Sequence, residues 1–419
     1  MKKTFFLLLI SIFIISCESN NTSSSNICDP NPCLENNIPN KTTCKPIENT
    51  SFTCECESGY TLDVGTKLCV HPVVDPCDPN PCTAPNKTIC ISVGETDSLY
   101  PECICEKDYE ESETGECVKI SEVNIRAVAA NISTGEDQNY DAGEGIRILQ
   151  GLKPNVIMIQ EFNYKSNSDL DYTEMVEAIF QDSGCLSSIP KRCFYEVGTG
   201  ALIPNGIISK FPIISSGEWA DPASNIDATR RLNYAIIDIP KEKDLFVVSV
   251  HLSAKSYDDQ IAAAQLIAQK VSELKKENPN KYYYMVGGDF NGSDVVSKYG
   301  FGEYETEAIF DADEYAPRPI GEDGNYGTNT NRTKPYDWIL TSSDLSAYQV
   351  SSNFCSVTNS TDCKRYTNGL VFDTRDFSQL NLDKYFFGTS FNEQTLNIND
   401  SGALNMQHMA IIKDFKITF

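Results

Sequence analysis

Seven residues that can bind cations or transfer protons stand at the ends of apolar runs in the C-terminal part of the sequence. They are Asn131, Glu161, His251, Asp289, Asn291, Asp337 and His408. Carboxylate and amide oxygens bind hard cations such as Mg²⁺, and histidine exchanges a proton near neutral pH. The chain has three histidines, and two are in this set. Because distant side chains converge where strands end, we predict a site at one rim of a sheet.

The elements that would position these residues form an alternating α/β pattern, which favours an α/β domain over residues 119–419. The predicted strands are 123–130, 155–160, 206–209, 232–239, 245–250, 282–286, 338–340 and 409–415. A short helix is predicted at 145–152 and a long helix at 258–277. The long helix has Ser256 and Asp259 at capping-box spacing and apolar residues on one face.

Cysteines divide the rest of the chain. Of 17, one is Cys17, and the others fall into clusters of six, six and four: Cys28, Cys33, Cys44, Cys54, Cys56 and Cys69; Cys77, Cys82, Cys90, Cys103, Cys105 and Cys117; Cys185, Cys193, Cys355 and Cys363. Even clusters predict disulfides, although six cysteines leave 15 connectivities open. The motif CDPNPC occurs at 28–33 and again at 77–82, so residues 28–70 and 77–118 are predicted to be repeated small modules.

The N-terminus is typical of an exported protein. Lys2 and Lys3 precede an apolar run over 5–15, which predicts a signal peptide at 1–16. Residues 14–17 resemble a bacterial lipobox, so we expect a lipid on Cys17, a flexible tether over 17–27 and attachment to a membrane of the cell envelope, facing the periplasm or the exterior. A plain cleavable signal is the alternative. The net charge of −25 disfavours long-range capture of polyanions but does not exclude a locally positive nucleic-acid site.

The ordered motifs QE at 160–161, VHL at 250–252, GDFN at 288–291 and YDWIL at 336–340, with Asn131 before them and His408 after them, resemble the endonuclease/exonuclease/phosphatase (DNase I-like) superfamily. This resemblance implies a four-layer α/β sandwich. The two N-terminal modules resemble epidermal-growth-factor-like modules, which implies first-to-third, second-to-fourth and fifth-to-sixth disulfide pairing. The spacing of the last four cysteines predicts two local disulfides, Cys185–Cys193 and Cys355–Cys363.

The superfamily resemblance implies roles for the strand-end residues in hydrolysis of a phosphodiester with Mg²⁺ or Mn²⁺. Glu161 would bind the metal, with Asn131 beside it, while Asp289 and Asn291 would orient water and hold the phosphate. His408 would be the general base, with its tautomer fixed by Asp337. His251 would bind the phosphate or assist the leaving group, and Arg231 would bind the phosphate.

Each assignment has a structural alternative. His251 and His408 could be packed core histidines, Glu161 a solvated strand-end carboxylate, and the GDFN residues an Asx turn. Arg231 could be a surface cation. The chain also departs from the superfamily pattern at Gln407, where most members have aspartate before the final histidine, which predicts weakened or altered metal binding.

The predicted function is that of a lipid-anchored, metal-dependent phosphodiesterase acting on nucleic acid. A sphingomyelinase-like or inositol-phosphatase-like activity is the alternative with the same chemistry. A non-catalytic surface adhesin is the third hypothesis. In each case the two small modules are expected to act as a stalk or to bind a protein partner.

Overall fold

The computed structural model describes residues 26–36, 38–47, 51–70, 74–94, 98–200, 202–222, 230–240, 243–292 and 318–418. The predicted signal peptide and Cys17 lie outside these residues. The described part divides into two compact units, one formed by residues up to Pro81 with Ser92–Glu102, the other by Cys82–Ile91 with Cys103 onwards. No helix among the described residues is long and apolar enough to cross a membrane.

The N-terminal residues form short strands held by disulfides. After a 3₁₀ helix, Pro32–Asn36, the strands are β1 (Thr43–Ile47), β2 (Ser51–Glu55), β3 (Thr61–Leu62), β4 (Cys69–Val70), β5 (Ile89–Val93), β6 (Tyr100–Ile104), β7 (Tyr109–Glu111) and β8 (Cys117–Lys119). The described disulfides here are Cys28–Cys44, Cys33–Cys54, Cys56–Cys69, Cys82–Cys103 and Cys105–Cys117, and Cys77 and Cys90 are also disulfide-bonded. A disulfide-rich region was predicted, and these five bonds follow the predicted pairing.

Among its described residues, the larger unit continues with strands β9 to β22 and five α-helices. The strands are β9 (Glu122–Ala130), β10 (Val156–Ile159), β11 (Phe194–Val197), β12 (Gly206–Ser209), β13 (Ile213–Trp219), β14 (Leu232–Ile237), β15 (Asp244–His251), β16 (Tyr282–Asp289), β17 (Asp337–Thr341), β18 (Gln349–Val350), β19 (Ser352–Ser356), β20 (Asn359–Tyr366), β21 (Leu370–Phe372) and β22 (Ala410–Thr418). The described α-helices are α1 (Glu144–Leu152), α2 (Asp169–Phe180), α3 (Tyr257–Glu277), α4 (Ser343–Ser346) and α5 (Gln379–Tyr385), with 3₁₀ turns at Thr374–Asp376 and Asp400–Gly402. Disulfides Cys185–Cys193 and Cys355–Cys363 close local loops, as predicted.

Two mixed sheets carry the predicted site. The first sheet has the order β11-β12-β10-β9-β22-β18, with β21 also paired to β22. The second has the order β13-β14-β15-β16-β17. Each sheet contains one parallel pair, β9 with β10 and β15 with β16, and the helices α1 and α3 form the respective crossovers. All the other described pairs in these sheets are antiparallel.

Three apolar clusters show the layering of the larger unit. Met158 of the first sheet packs with Met285 and Val247 of the second in a cluster between the sheets. The outer face of the first sheet packs against α1 and α2, and the outer face of the second packs against α3. The layers are therefore helix, sheet, sheet and helix, so the predicted α/β fold class is confirmed.

Helix α2 was not predicted from the sequence, although its sequence carries a complete capping box. Ser168 Oγ accepts a hydrogen bond from the Asp171 amide, and the Asp171 carboxylate accepts one from the Ser168 amide. Its buried face includes Met175 and Ile179. The weak apolar periodicity of this segment explains why it was missed, because most of its stability comes from packing on α1 and the sheet.

Candidate active site

The predicted residues come from both sheets and lie at one edge of the sandwich. Three of them lie at strand ends of the first sheet: Asn131 directly follows β9, Glu161 follows β10 after one intervening residue, and His408 shortly precedes β22. His251, Asp289 and Asp337 stand in register on β15, β16 and β17 of the second sheet. The packing of the two sheets therefore brings together residues that are far apart in sequence.

The carboxylate of Asp289 is the centre of this cluster. Its Oδ2 lies 3.0 Å from Asn131 Nδ2 and 3.2 Å from Asn291 Nδ2, both of which donate to it. The Nε2 atoms of His251 and His408 are each 3.3 Å from the same oxygen. Oδ1 accepts from the Asn291 amide at 2.7 Å. Five of the seven predicted residues thus meet around one buried carboxylate.

A close approach of the backbone makes this arrangement possible. Gly288 has a φ of 139°, and a Cβ at this position would lie 2.1 Å from the carbonyl oxygen of Val250 on the neighbouring strand. Only glycine lets β16 come this close to β15 while placing Asp289 beside His251. The glycine of the GDFN motif is therefore a structural requirement of the site.

His408 connects Asp289 with Asp337. Its Nδ1 lies 2.8 Å from Asp337 Oδ2 and, because a carboxylate only accepts hydrogen bonds, Nδ1 carries the hydrogen. Nε2 then faces Asp289. The backbone amide of Asp337 donates to Thr328 Oγ1 at 2.9 Å, which fixes the start of β17. His408 is 4% exposed, so it is buried as the packing alternative requires, but its partners are carboxylates.

Burial and charge move the pKa values of these groups in different directions. Burial lowers the pKa of His408, but the charges of Asp289 and Asp337 outweigh burial and raise it to about 10. Burial raises the pKa of Asp289 to about 6 against the opposing effect of His408. Burial lowers the pKa of His251 well below its ordinary value, assisted by Arg230 and His408. In this arrangement His408 is the charged histidine and His251 the neutral one.

Glu161 is buried rather than solvated, which contradicts its structural alternative. It is 7% exposed, and burial raises its pKa, opposed first by a hydrogen bond from Ser133 Oγ. Its φ of 51° lies in the left-handed region, a conformation that costs a residue with a side chain about 1–3 kcal/mol. The preceding Gln160 donates to Ser249 Oγ of the second sheet at 2.9 Å. The backbone at Glu161 is therefore held in a strained position that directs its side chain to the cluster.

The donor set fits a hard cation. Asn131 Oδ1 and Asp337 Oδ1 are buried and have no hydrogen-bond partner in the described structure, and the buried Glu161 carboxylate interacts electrostatically with His408 and Asp289. Asp289, Asp337 and His408 also place one donor atom each within 4.8 Å of one another. Hydrogen bonding explains the proximity of this trio, because the imidazole stands between the carboxylates. Asn131 Oδ1 is free to bind a cation, whereas Glu161 Oε2 accepts a hydrogen bond from Ser133 Oγ. Metal binding by Glu161 and Asn131 stays a prediction.

Arg230 and Arg231, which directly precede β14, have different surroundings. Arg231 has a φ of 54°, and its Nε lies 3.7 Å from Glu218 Oε2. Arg230 Nη1 donates to the Leu252 carbonyl at 2.9 Å, next to His251, and its charge acts on both His251 and Glu161. The prediction that Arg231 binds phosphate stays a prediction, while Arg230 is the arginine whose charge acts on the cluster.

Three positions near the site were not found from the sequence: Ser133, Thr328 and Arg332. Arg332 is buried in the loop before β17 and donates to Asp373 Oδ2 at 3.0 Å and Asp376 Oδ2 at 2.9 Å. The same loop accepts the Met409 amide at Thr328 O and donates from the Thr330 amide to Gln407 O. This loop therefore supports both Asp337 and His408. Of the three positions, only Ser133 could have been found from the sequence, because it lies two residues after Asn131.

Gln407, where the superfamily pattern has aspartate, is exposed, whereas its neighbours Met406 and His408 are buried. The Gln407 side chain therefore faces solvent and is not part of the buried cluster.

No family model matches the sequence. Among curated proteins, a Cubilin homolog of Caenorhabditis elegans is 36% identical over 81 residues, which are 19% of this chain and 2% of that protein. The chain therefore spans a small fraction of the length of that relative.

The solved structures that are similar include members of the family that the motifs resemble. An endonuclease/exonuclease/phosphatase family protein from Bacteroides thetaiotaomicron is 13% identical with a TM-score of 0.41, covering 71% of this chain and 96% of that chain. A mannosyl-6-phosphatase from the same species is 14% identical with a TM-score of 0.40, covering 70% and 99%. Truncated TDP2 from Caenorhabditis elegans is 14% identical with a TM-score of 0.38, covering 70% and 97%.

Proposed function

We propose that residues 119–419 form a divalent-metal-dependent phosphodiesterase that hydrolyses nucleic acid. One observation carries this proposal: His408, held by Asp337, and His251, kept neutral by burial, both face Asp289 beside Asn131 and Asn291. A buried cluster of two histidines and two carboxylates at a sheet edge is expensive to maintain for stability alone. It is suited to proton transfer next to a bound anion.

The residues have complementary tasks in this proposal. Glu161 and Asn131 would hold a Mg²⁺ or Mn²⁺ ion, which when bound neutralises a phosphate oxygen and opposes the carboxylate charges that raise the pKa of His408. Asn131 Nδ2 donates one amide hydrogen to Asp289 and has a second that can bind a phosphate oxygen. Asn291 Nδ2 donates to both Asp289 and the Leu252 carbonyl, so Asn291 would hold Asp289 in place beside the phosphate. Asp289 would orient the attacking water, and His408 Nε2 would take its proton while Asp337 holds the hydrogen on Nδ1.

The two histidines differ in a way that suits different steps. A base must be neutral before it accepts a proton, and in the metal-free arrangement the pKa of His408 is raised to about 10. His408 therefore functions as the base only when positive charge offsets Asp289 and Asp337. His251 is neutral by burial and can bind the phosphate or donate a hydrogen bond to the leaving oxygen.

The deciding experiment measures hydrolysis by the purified full chain with Mg²⁺, with Mn²⁺ and with EDTA. The substrates are single-stranded DNA, plasmid DNA, sphingomyelin and a phosphoinositide. We expect EDTA-sensitive cleavage of DNA and loss of that cleavage in His408→Ala. His71→Ala is the matched control, because it removes the one histidine outside the catalytic region.

Each outcome separates the hypotheses. EDTA-sensitive cleavage of sphingomyelin or the phosphoinositide alone would keep the chemistry and replace the nuclease by a phospholipid or inositol phosphoesterase. No cleavage by a folded protein would support the adhesin hypothesis. Full activity in His408→Ala would remove this histidine from the mechanism.

The N-terminal part completes the proposal. We propose that Cys17 carries lipid that anchors the protein in a membrane of the cell envelope, and that residues 28–70 and 77–118 are epidermal-growth-factor-like modules that bind a protein partner or act as a stalk. The support is the lipobox-like sequence and the disulfides, which are typical of oxidising compartments outside the cytosol. Metabolic labelling with a radioactive fatty acid, compared between wild type and Cys17→Ala, tests the anchor.

A further inference from the structure

A pocket of about 560 Å³ lies next to the active site. We define it as the aromatic pocket, lined among others by Tyr257, Asn291, Arg318, Tyr326, Lys334 and Tyr336. Asn291 also donates to Asp289, so the pocket and the catalytic cluster share a residue. The ring of Tyr336 lies 6.0 Å from that of His408. The aromatic pocket therefore directly adjoins the cluster around Asp289.

The charge of the aromatic pocket differs from that of the protein. The chain carries 59 acidic and 34 basic residues, yet the described lining of the pocket has the cations Arg318 and Lys334 and no carboxylate. The electrostatic potential at a ligand in the pocket depends mainly on these two nearby cations, because salt screens charges that are more than about 8–10 Å away. The pocket is therefore suited to an anionic ligand.

The pocket also presents aromatic surface to solvent. Tyr326 is 50% exposed and Tyr257 is 40% exposed. The Arg318 guanidinium stands 4.8 Å from the Trp338 ring and 5.6 Å from the Tyr326 ring, and Lys334 Nζ is 5.7 Å from the Tyr336 ring. Ring contacts hold both cations at the wall of the pocket. The floor is fixed by Gln260, whose Nε2 donates to the Asn291 carbonyl at 3.3 Å.

We propose that the aromatic pocket binds the nucleotide next to the scissile phosphate of a single-stranded nucleic acid. Its base stacks on the exposed tyrosine rings, and its outer phosphate binds Arg318 and Lys334. Planar bases stack on aromatic side chains without sequence preference, and cations along the groove follow the phosphates. A phosphocholine head group is disfavoured, because its ammonium would face the same two cations. The inference rests on the proposed phosphodiesterase function and specifies its substrate.

The test compares two oligonucleotides of equal length and charge, one with bases and one with an abasic tract. The full chain is assayed with Mg²⁺ for kcat and KM on both. Loss of base stacking costs about 1–3 kcal/mol per base, roughly 5- to 150-fold in kcat/KM. We expect wild type to prefer the oligonucleotide with bases by this factor, and Tyr326→Ala to reduce the preference at least fivefold.

Matched variants separate binding from folding. Tyr326→Phe keeps the ring and is expected to keep the preference, while Tyr100→Ala removes an exposed tyrosine of the disulfide-rich region and serves as control. Arg318→Ala should raise KM for both oligonucleotides, and exposed Arg365→Ala is its control.

The outcomes distinguish this inference from the proposed function. Equal cleavage of both oligonucleotides by wild type would overturn the stacking proposal and leave the phosphodiesterase standing. A preference that survives in Tyr326→Ala would overturn the assignment to this pocket. If inositol phosphates are cleaved and neither oligonucleotide is, both the nuclease proposal and this inference fail.

Discussion

Asp337→Asn is the substitution that most directly tests how the candidate site functions. In the described structure the Asp337 side chain has one hydrogen-bond partner, His408 Nδ1 at 2.8 Å, and its other oxygen has none. The substitution therefore changes one hydrogen bond of this carboxylate, the one to His408. Asparagine keeps the shape but changes which atom carries hydrogen, so the imidazole can be forced into the tautomer with hydrogen on Nε2.

The expected size of the effect follows from that geometry. If the asparagine amide donates to Nδ1, Nε2 carries hydrogen and cannot accept the proton of water. If its oxygen faces Nδ1, the NH₂ group is buried at the position of the unpartnered Oδ1, which costs about 1–3 kcal/mol. The equivalent change in a serine-protease triad lowers kcat about 10⁴-fold, so we expect a fall of about 10²- to 10⁴-fold here, with KM changed less than about threefold.

The assay is steady-state hydrolysis of single-stranded DNA with saturating Mg²⁺, with thermal unfolding measured in parallel. Asp414→Asn is the matched control. Asp414 lies on β22, the strand that follows His408, and its carboxylate is paired with Arg126 rather than with a residue of the site. This control should lower Tm without lowering kcat tenfold. If Asp337→Asn keeps kcat within fivefold of wild type, His408 does not depend on Asp337 and the proposed base is wrong.

Further substitutions test the loop before β17 and the position before His408. Arg332→Met leaves Asp373 and Asp376 without their buried partner, so it should lower the free energy of unfolding by about 3–5 kcal/mol in denaturant. The control Arg192→Met breaks an exposed pair with Asp182 and should lower it by less than about 1 kcal/mol. In Asp373, burial raises the pKa, but the bonds from Arg375 outweigh it and the pKa falls below its usual 3.8. The ionised carboxylate therefore stabilises the fold above about pH 4. The Tm difference between wild type and Asp373→Asn should shrink as pH falls through that lowered pKa. A Tm difference that stays constant with pH would contradict this expectation. Gln407→Asp should change the Mg²⁺ concentration for half-maximal activity less than about fivefold, because the position is exposed, and a tenfold gain in affinity would show that residue 407 reaches the cation.

The sequence predicted most of the elements that position the site, because long apolar runs in both sheets have clear boundaries. The predicted strand at 123–130 and helix at 258–277 match β9 and α3 within one residue at each end. Strands β11, β13 and β18 to β21 were missed, since they are short or lie at edges and depend on neighbours that sequence periodicity does not show. The strand predicted to 239 ends at Ile237.

The polar residues of the site were predictable in kind but not in arrangement. Strand ends identified His251, Asp289 and His408, yet nothing in the sequence shows that both imidazoles face the same carboxylate oxygen. The contact of Ser133 with Glu161 and the support of β17 by Arg332 also depend on loop conformations set by tertiary contacts.

The candidate site exists only when the two sheets are packed together. The first sheet contributes Asn131 and His408, the second contributes Asp289, and the contacts that join them are 3.0 and 3.3 Å. A shift of about 1 Å between the sheets would break hydrogen bonds of this length. The apolar cluster around Met158 and the bond from Gln160 to Ser249 set that spacing. Since interiors at native density resist such shifts, the core between the sheets fixes the geometry of the proposed chemistry as well as the stability of the fold.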